Sequence, residues 1–294
     1  MSEPARNPTS APGKHLVKRE TRYVHKIGEL YSHQPMCIWQ DIVERRECEA
    51  GGINVLYLCE PDVITQVAKE VCERWREWDY IIAHNRRVLL RCPNSIRLEF
   101  GTTWIEDYPF PQKVFGVSHL ISKANYTRGH TLRRKLWARR EEIGIPRHFF
   151  LSSKVEDLEP EGYILRESKF PLFDTQFHLA IENCSTKNYF SEKLIDCFQT
   201  RTVPIYYGAK NISRYFNTRG MFIVRDADEA VNACNSLTPD TYASMTDAIE
   251  DNFRRSQGWA NLKGRLQSLV SELSSVWPKR KRAGYLRRLW RDWF

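Results

Sequence analysis

No apolar run of about eighteen residues, the length needed to cross a bilayer, occurs in this 294-residue sequence, and its N-terminus lacks the apolar core of a secretory signal. Neither a membrane-spanning helix nor a cleaved leader is expected. Metal-site spacing is missing too. The eight cysteines (Cys37, Cys48, Cys59, Cys72, Cys92, Cys184, Cys197, Cys234) form no C-x-x-C pair and no Cys/His arrangement with ligand spacing. Several stand in apolar contexts, as reduced thiols do, so a reducing, cytoplasmic setting is expected. No internal repeat is visible.

What is present points to a folded protein. An apolar content of 41% supports a packed core, and the length allows two domains or one large one. The net charge of +9 suits nucleic acid, an anionic membrane or anionic substrates. Its distribution narrows the choice. Residues 279–294 carry seven cations against Asp292, a charge of +6, which leaves about +3 for the rest. A nearly balanced body argues against nucleic acid as the main partner. In the tail, Tyr285, Leu286, Leu289, Trp290, Trp293 and Phe294 share one helical side, with Arg287, Arg288 and Arg291 towards the other. That pattern predicts peripheral contact with an anionic membrane or packing back on the body.

Along the chain, residues 1–14 are unpatterned and expected to be disordered. After Gly51-Gly52, a strand over Ile53–Cys59 is followed by a helix over Asp62–Trp75 and strands at Tyr80–Ala83 and Val88–Leu90, a βαβ pattern with a parallel sheet. Glu60 stands at the carboxyl end of the first of these strands. Gly101–Gln112 reads as a linker, and its Glu106 and Asp107 are reserve candidates for acid–base work. A strand over Lys113–Ser118 precedes a helix carrying Arg128, Arg133, Arg134 and Lys135. A guanidinium suits an anion because its fork grips two oxygens at once. His119 and His130 fit ordinary loop or cap positions better than ligand roles.

The densest signal lies at Phe177–Ile212. An apolar strand, Phe177–Ile181, stops on Glu182 and Asn183. In parallel α/β sheets ligands bind beyond the carboxyl ends of strands. Ser191 then caps a helix with Leu194, Ile195 and Phe198 on its apolar face. Lys193 falls in the first turn, where the helix dipole disfavours a cation unless an anion also binds there. A second strand runs from Thr202 to Tyr207. Further on, Asp226-Ala227-Asp228 has the form of a metal-binding Asp-x-Asp, but a helix follows at once and a cap explains it. Ala248–Leu273 is helical with interruptions at Gly258 and Gly264, and Pro278 is expected to end it.

Asn183, Tyr189, Glu192 and Lys193, followed by TVPIYYG, resemble the donor motif of the α-1,3-fucosyltransferases, glycosyltransferase family ten. That motif runs F-E-N, six residues to Tyr, V-T-E-K, then a helix and a V-P-V/I strand ending in Gly. Ile181 stands in place of the family's aromatic residue, and Phe190-Ser191 in place of Val-Thr. The resemblance implies a GT-B-like α/β fold of two Rossmann-like domains with parallel sheets facing a cleft. It implies an acceptor-side domain over 15–110 and a donor-nucleotide-binding domain over 111–275, with the basic aromatic stretch read from its charge pattern as a tail over 276–294. The implied reaction transfers a sugar, fucose from GDP-fucose, onto a glycan hydroxyl with inversion and without metal. Donor contacts would come from Arg133 (or Arg128), Glu182, Asn183, Tyr189, Glu192 and Lys193. Trp78-Asp79-Tyr80-Ile81 resembles a segment that in bacterial members follows the catalytic base, which implies Glu60 as base, although Pro61 departs from the pattern. A UDP-pentose donor, or a nonenzymatic glycan- or nucleic-acid-binding protein, is the competing reading.

Overall fold

The computed structural model describes residues 15–21, 27, 29–44, 48, 51–152, 163–165 and 168–280. The expected disordered segment 1–14 and most of the basic aromatic tail lie outside these residues. The chain divides into two compact units, one formed by the residues up to Leu98 together with those from Leu262 onward, the other by Glu99–Asn261. The division therefore differs from the expected boundary at 110/111, and the last helix belongs to the first unit.

In the first unit β1 (His15–Leu16) pairs antiparallel with β3 (Tyr31–Ser32). The five strands β2 (Lys18–Thr21), β4 (Met36–Gln40), β5 (Ile53–Leu58), β6 (Tyr80–Ala83) and β7 (Ser95–Arg97) form a parallel sheet in that spatial order. Every residue of β4, β5 and β6 is buried, as expected for strands covered on both faces. Cys37, Trp39, Leu56, Leu58, Ile81 and Ala83 pack with Ala68 and Val71 of helix α2 (Ala68–Arg74) and Val88 of α3 (Arg86–Arg91).

Two expectations fail in this unit, and a disulfide changes a third argument. The helix expected over Asp62–Trp75 is split into α1 (Asp62–Thr65) and α2 by Gln66, whose φ of 56° is left-handed. The strand expected at Val88–Leu90 is helix α3, because the Asn85 side chain accepts from the Arg87 and Val88 N–H groups at 2.9 and 3.3 Å and starts a helical turn. Cys37 and Cys48 are bonded, with Cα atoms 5.8 Å apart, while Cys59, Cys72, Cys92, Cys184, Cys197 and Cys234 are free. The cysteine argument for a reducing compartment is thereby weakened.

The second unit holds β8 (Val114–Ile121), β9 (Arg147–Leu151), β10 (Tyr163–Ile164), β11 (Thr175–Ile181), β12 (Val203–Tyr207) and β13 (Phe222–Ile223), all parallel, in the spatial order β10-β9-β8-β11-β12-β13. Counted within the unit, that is 3-2-1-4-5-6, the order of dinucleotide-binding Rossmann sheets. Alternation along β11 separates two cores. Phe177, Leu179 and Ile181 meet Leu132, Leu136 and Trp137 of α4 (Arg128–Ala138) and Val231 and Cys234 of α6 (Ala227–Asn235). Ala180 faces the other way, with Leu194, Ile195 and Phe198 of α5 (Glu192–Gln199). The sheet is thus doubly wound.

The C-terminal helices are α7 (Pro239–Ser244), α8 (Thr246–Ala260) and α9 (Leu262–Arg280). The interruption falls at Asn261 rather than at Gly258 or Gly264, and the last helix continues past Pro278. Among the described residues no helix is long and apolar enough to cross a membrane.

The order of strands reverses between β8 and β11, and the backbones close tightly there. A Cβ on Gly129 would lie 1.8 Å from the Glu182 carbonyl oxygen, and one on Gly208 would lie 2.1 Å from the Tyr206 hydroxyl. Gly129→Ala should therefore lower stability by about 1–3 kcal/mol through overpacking against backbone. Urea unfolding measures it, and an unchanged midpoint would contradict the close approach.

Candidate functional site at the strand-order switch

Beyond the carboxyl ends of β8 and β11, the N-termini of α4 and α5 meet one polar strand end. Glu182 follows β11 directly and is 0% exposed. One of its carboxylate oxygens accepts the Ser191 N–H and the other the Ser191 hydroxyl, each at 2.7 Å. The Ser191 oxygen in turn accepts the Lys193 N–H at 3.3 Å and caps α5. Burial raises the Glu182 pKa, opposed by Lys193 and by the bonds from Ser191. Glu182 thus fixes the start of α5.

On the facing side, Thr127 caps α4 and the Gly129 N–H donates to the Asn183 carbonyl at 3.1 Å. Arg133 is buried, and its guanidinium is engaged by the strand end. Its Nε and Nη2 donate to the Ile181 carbonyl at 3.0 and 2.8 Å, and Nη2 also reaches Asn183 Oδ1 at 2.7 Å. Desolvation lowers its pKa, while Glu182, Tyr189 and Glu192 act to raise it. Arg133 therefore locks Asn183 in place. Arg128, the first residue of α4, is exposed.

Lys193 bonds Glu192 Oε1 at 2.9 Å with its ammonium, and its side chain keeps 27% exposure. Burial lowers the Lys193 pKa, but Glu192 and Glu182 outweigh it and the net shift is upward. Glu192 is buried. Desolvation acts to raise its pKa, yet Lys193 and then Lys169 overcome this and bring it down to about 2. Lys169 lies 3.9 Å from Glu192 Oε1 and 3.8 Å from Asp196 Oδ2, with its ammonium over the Trp104 ring. Asp196 accepts from the Thr103 hydroxyl and the Trp104 N–H at 2.7 and 2.8 Å, and burial raises its pKa to about 6. Lys169 and Asp196 were not singled out in the sequence. The only local signal was that Asp196 sits one helical turn after Glu192 on an apolar helix face.

The structure brings Glu182, Asn183, Arg133, Glu192 and Lys193 together, and places Tyr189 in the field of Arg133. Glu60 belongs to the other unit, at the carboxyl end of β5. There its N–H donates to the buried Asp41 carboxylate at 3.3 Å, which also accepts the Cys59 N–H at 3.1 Å. Glu106 and Asp107 are exposed, in a stretch without helix or strand. His119 is a core residue of β8, with Nε2 3.2 Å from the Arg133 carbonyl. Asp226 caps α6 by accepting the Glu229 N–H at 2.9 Å, and Asp228 pairs with Arg139. Among the described residues no group of three or more His, Cys, Asp or Glu is arranged to hold a metal ion.

Chemically, two helix N-termini, a lysine and an exposed arginine offer positive potential to an anion at the strand-order switch. A family comparison covers the α5 side of this site. Residues 166–238 match the profile of the glycosyltransferase family 10 (fucosyltransferase) C-terminal domain. The chain is similar to the alpha-(1,3)-fucosyltransferase FucT of Helicobacter pylori, 32% identical over 74 residues that cover 24% of this chain and 16% of that relative. Among solved structures, a glycosyltransferase from Rickettsia africae ESF-5 aligns over 83% of this chain and 77% of its own, with a TM-score of 0.52 at 9% identity. An α1,3-fucosyltransferase solved with GDP aligns over 76% of each chain, with a TM-score of 0.47 at 15% identity. Residues 166–238 thus match the C-terminal domain of glycosyltransferase family 10, and the chain shares its parallel α/β fold with a solved glycosyltransferase.

Proposed function

We propose that the chain is an inverting glycosyltransferase that moves a sugar, fucose from GDP-fucose, onto a glycan hydroxyl. The observation that carries this reading is the meeting of the α4 and α5 N-termini with Lys193 at the strand-order switch, α5 and Lys193 lying inside the segment that matches family 10. As the acceptor hydroxyl attacks the anomeric carbon it loses a proton, and the nucleoside diphosphate departs with added negative charge. In this proposal Lys193, Arg128 and the two helix ends stabilise that charge, and no metal is needed. Glu60 is the proposed base.

The remaining roles follow from hydrogen-bonding capacity. Glu192, an ionised acceptor repelled by phosphate, takes ribose hydroxyls. Asn183 and Tyr189 give neutral hydrogen bonds to the sugar or phosphate. Arg133 acts by holding Asn183, and Glu182 by holding Ser191. Arg128, exposed at the first turn of α4, replaces Arg133 as the guanidinium proposed for phosphate.

A panel of GDP- and UDP-sugars in a thermal-shift assay tests the donor. Stabilisation by GDP-fucose is expected, stabilisation by UDP-sugars alone would move the reading to another donor, and a response to none would end the enzyme reading. Lys193→Ala should weaken donor binding and slow turnover together, each by roughly 1.5–3 kcal/mol for a lost charge-assisted contact. Titration with GDP and initial rates measure the two. Glu60→Gln should abolish transfer while GDP affinity stays within about twofold, because a base acts on the acceptor. Retained transfer would move the base to Glu106, Asp107 or another residue. Activity should survive chelation, and loss reversed by added manganese or magnesium would overturn the metal-free reading.

A further inference from the structure

His130 has one ring nitrogen engaged by the cap of α4 and the other without a partner among the described residues. The Thr127 oxygen accepts the His130 N–H at 3.2 Å and also lies 2.9 Å from His130 Nδ1. Thr127 is 4% exposed, so its hydroxyl proton needs an acceptor within the protein, and Nδ1 is the one beside it. A neutral imidazole that accepts at Nδ1 carries its proton on Nε2. The ring is itself buried, with Tyr126, 67% exposed, edge-on at 4.6 Å between centroids. Arg133 and Arg134 of its own helix and Lys193 of α5 act on it. Burial first, and then these cations, lower its pKa to about 4. Near neutral pH the imidazole is uncharged and presents an N–H at the end of α4, within the field of Lys193.

We propose that His130 is a donor-binding residue that gives a neutral Nε2–H hydrogen bond to a phosphate oxygen of the bound nucleoside diphosphate. The proposal rests on the glycosyltransferase reading above and extends it to a residue outside the motif that carries the resemblance. A neutral donor suits this position. Lys193 is already there, and the α4 dipole disfavours one more cation in its first turn. Thr127 therefore has two tasks, capping the helix and selecting the tautomer that leaves Nε2 as the donor.

Two measurements on the full chain test this. Long-range 15N–1H NMR correlation on the ligand-free protein reads the tautomer, with the Nε2–H form expected; an Nδ1–H form would overturn the proposal. GDP titration of His130→Asn and His130→Gln reads the contact. Asn still offers Thr127 an acceptor but does not reach the Nε2 position, whereas Gln does. A loss of about tenfold in GDP affinity is expected for Asn, as for a hydrogen bond to a charged group, with Gln within about threefold of the unaltered chain. Equal affinity in all three, or an equal loss in both variants, would overturn the proposal while leaving the nucleotide reading intact. A folded, unaltered chain that binds no GDP would instead overturn that reading and this inference with it.

Discussion

The second unit depends on a carboxylate that never meets water. Glu182 sits at the end of a central strand with no exposure, and its two oxygens are held by one serine. Burying a carboxylate is costly unless each oxygen finds a donor, so the fold that buries Glu182 must also deliver Ser191. Ser191 starts α5, and α5 carries Glu192, Lys193 and Asp196. The lysine's position is thus set by a chain of hydrogen bonds that begins in the sheet. The opposite wall is set by the same strand end, where Gly129 touches the Glu182 carbonyl and Arg133 grips Ile181 and Asn183.

Charge in this site is arranged in alternation. Glu192 lies between Lys193 and Lys169, and Lys169 also reaches Asp196. Glu192 stays ionised because two ammonium groups face it, whereas burial raises the pKa of Asp196 and Lys169, Thr103 and Trp104 only partly offset it. Two carboxylates one helical turn apart are therefore shifted in opposite directions. The difference arises from which cations approach, since both are buried.

Local sequence made the strand–helix–strand run from Phe177 to Tyr207 legible, because its apolar strands, its cap and its helix face are written in adjacent residues. The Asp226 cap was legible for the same reason. Val88–Leu90 was not, since three apolar residues suit a strand or a helical turn equally and Asn85 decides between them. Strand β4 was not assigned from the sequence, and only its parallel pairing with β2 and β5 defines it. Arg133 was expected to meet a phosphate, and its bonds to Ile181 and Asn183 were not legible, because they span about fifty residues and no local pattern encodes them. The pairing of Cys37 with Cys48 matched no spacing rule.

The return of α9 to the first unit bears on how the chain is made. Leu266, Val270 and Leu273 are buried, and Ser274 and Gln267 bond the backbone of His33 and Tyr31. The first unit is thus begun early in synthesis and finished only when α9 emerges, after all of Glu99–Asn261 has been translated. Domains in multidomain chains generally fold in N-to-C order on the ribosome. Here the order is inverted: the contiguous second unit has all its residues available first, while the part of the first unit around Tyr31 and His33 waits for α9. Nascent chains stalled just short of α9 are the species in which a chaperone would find most to hold.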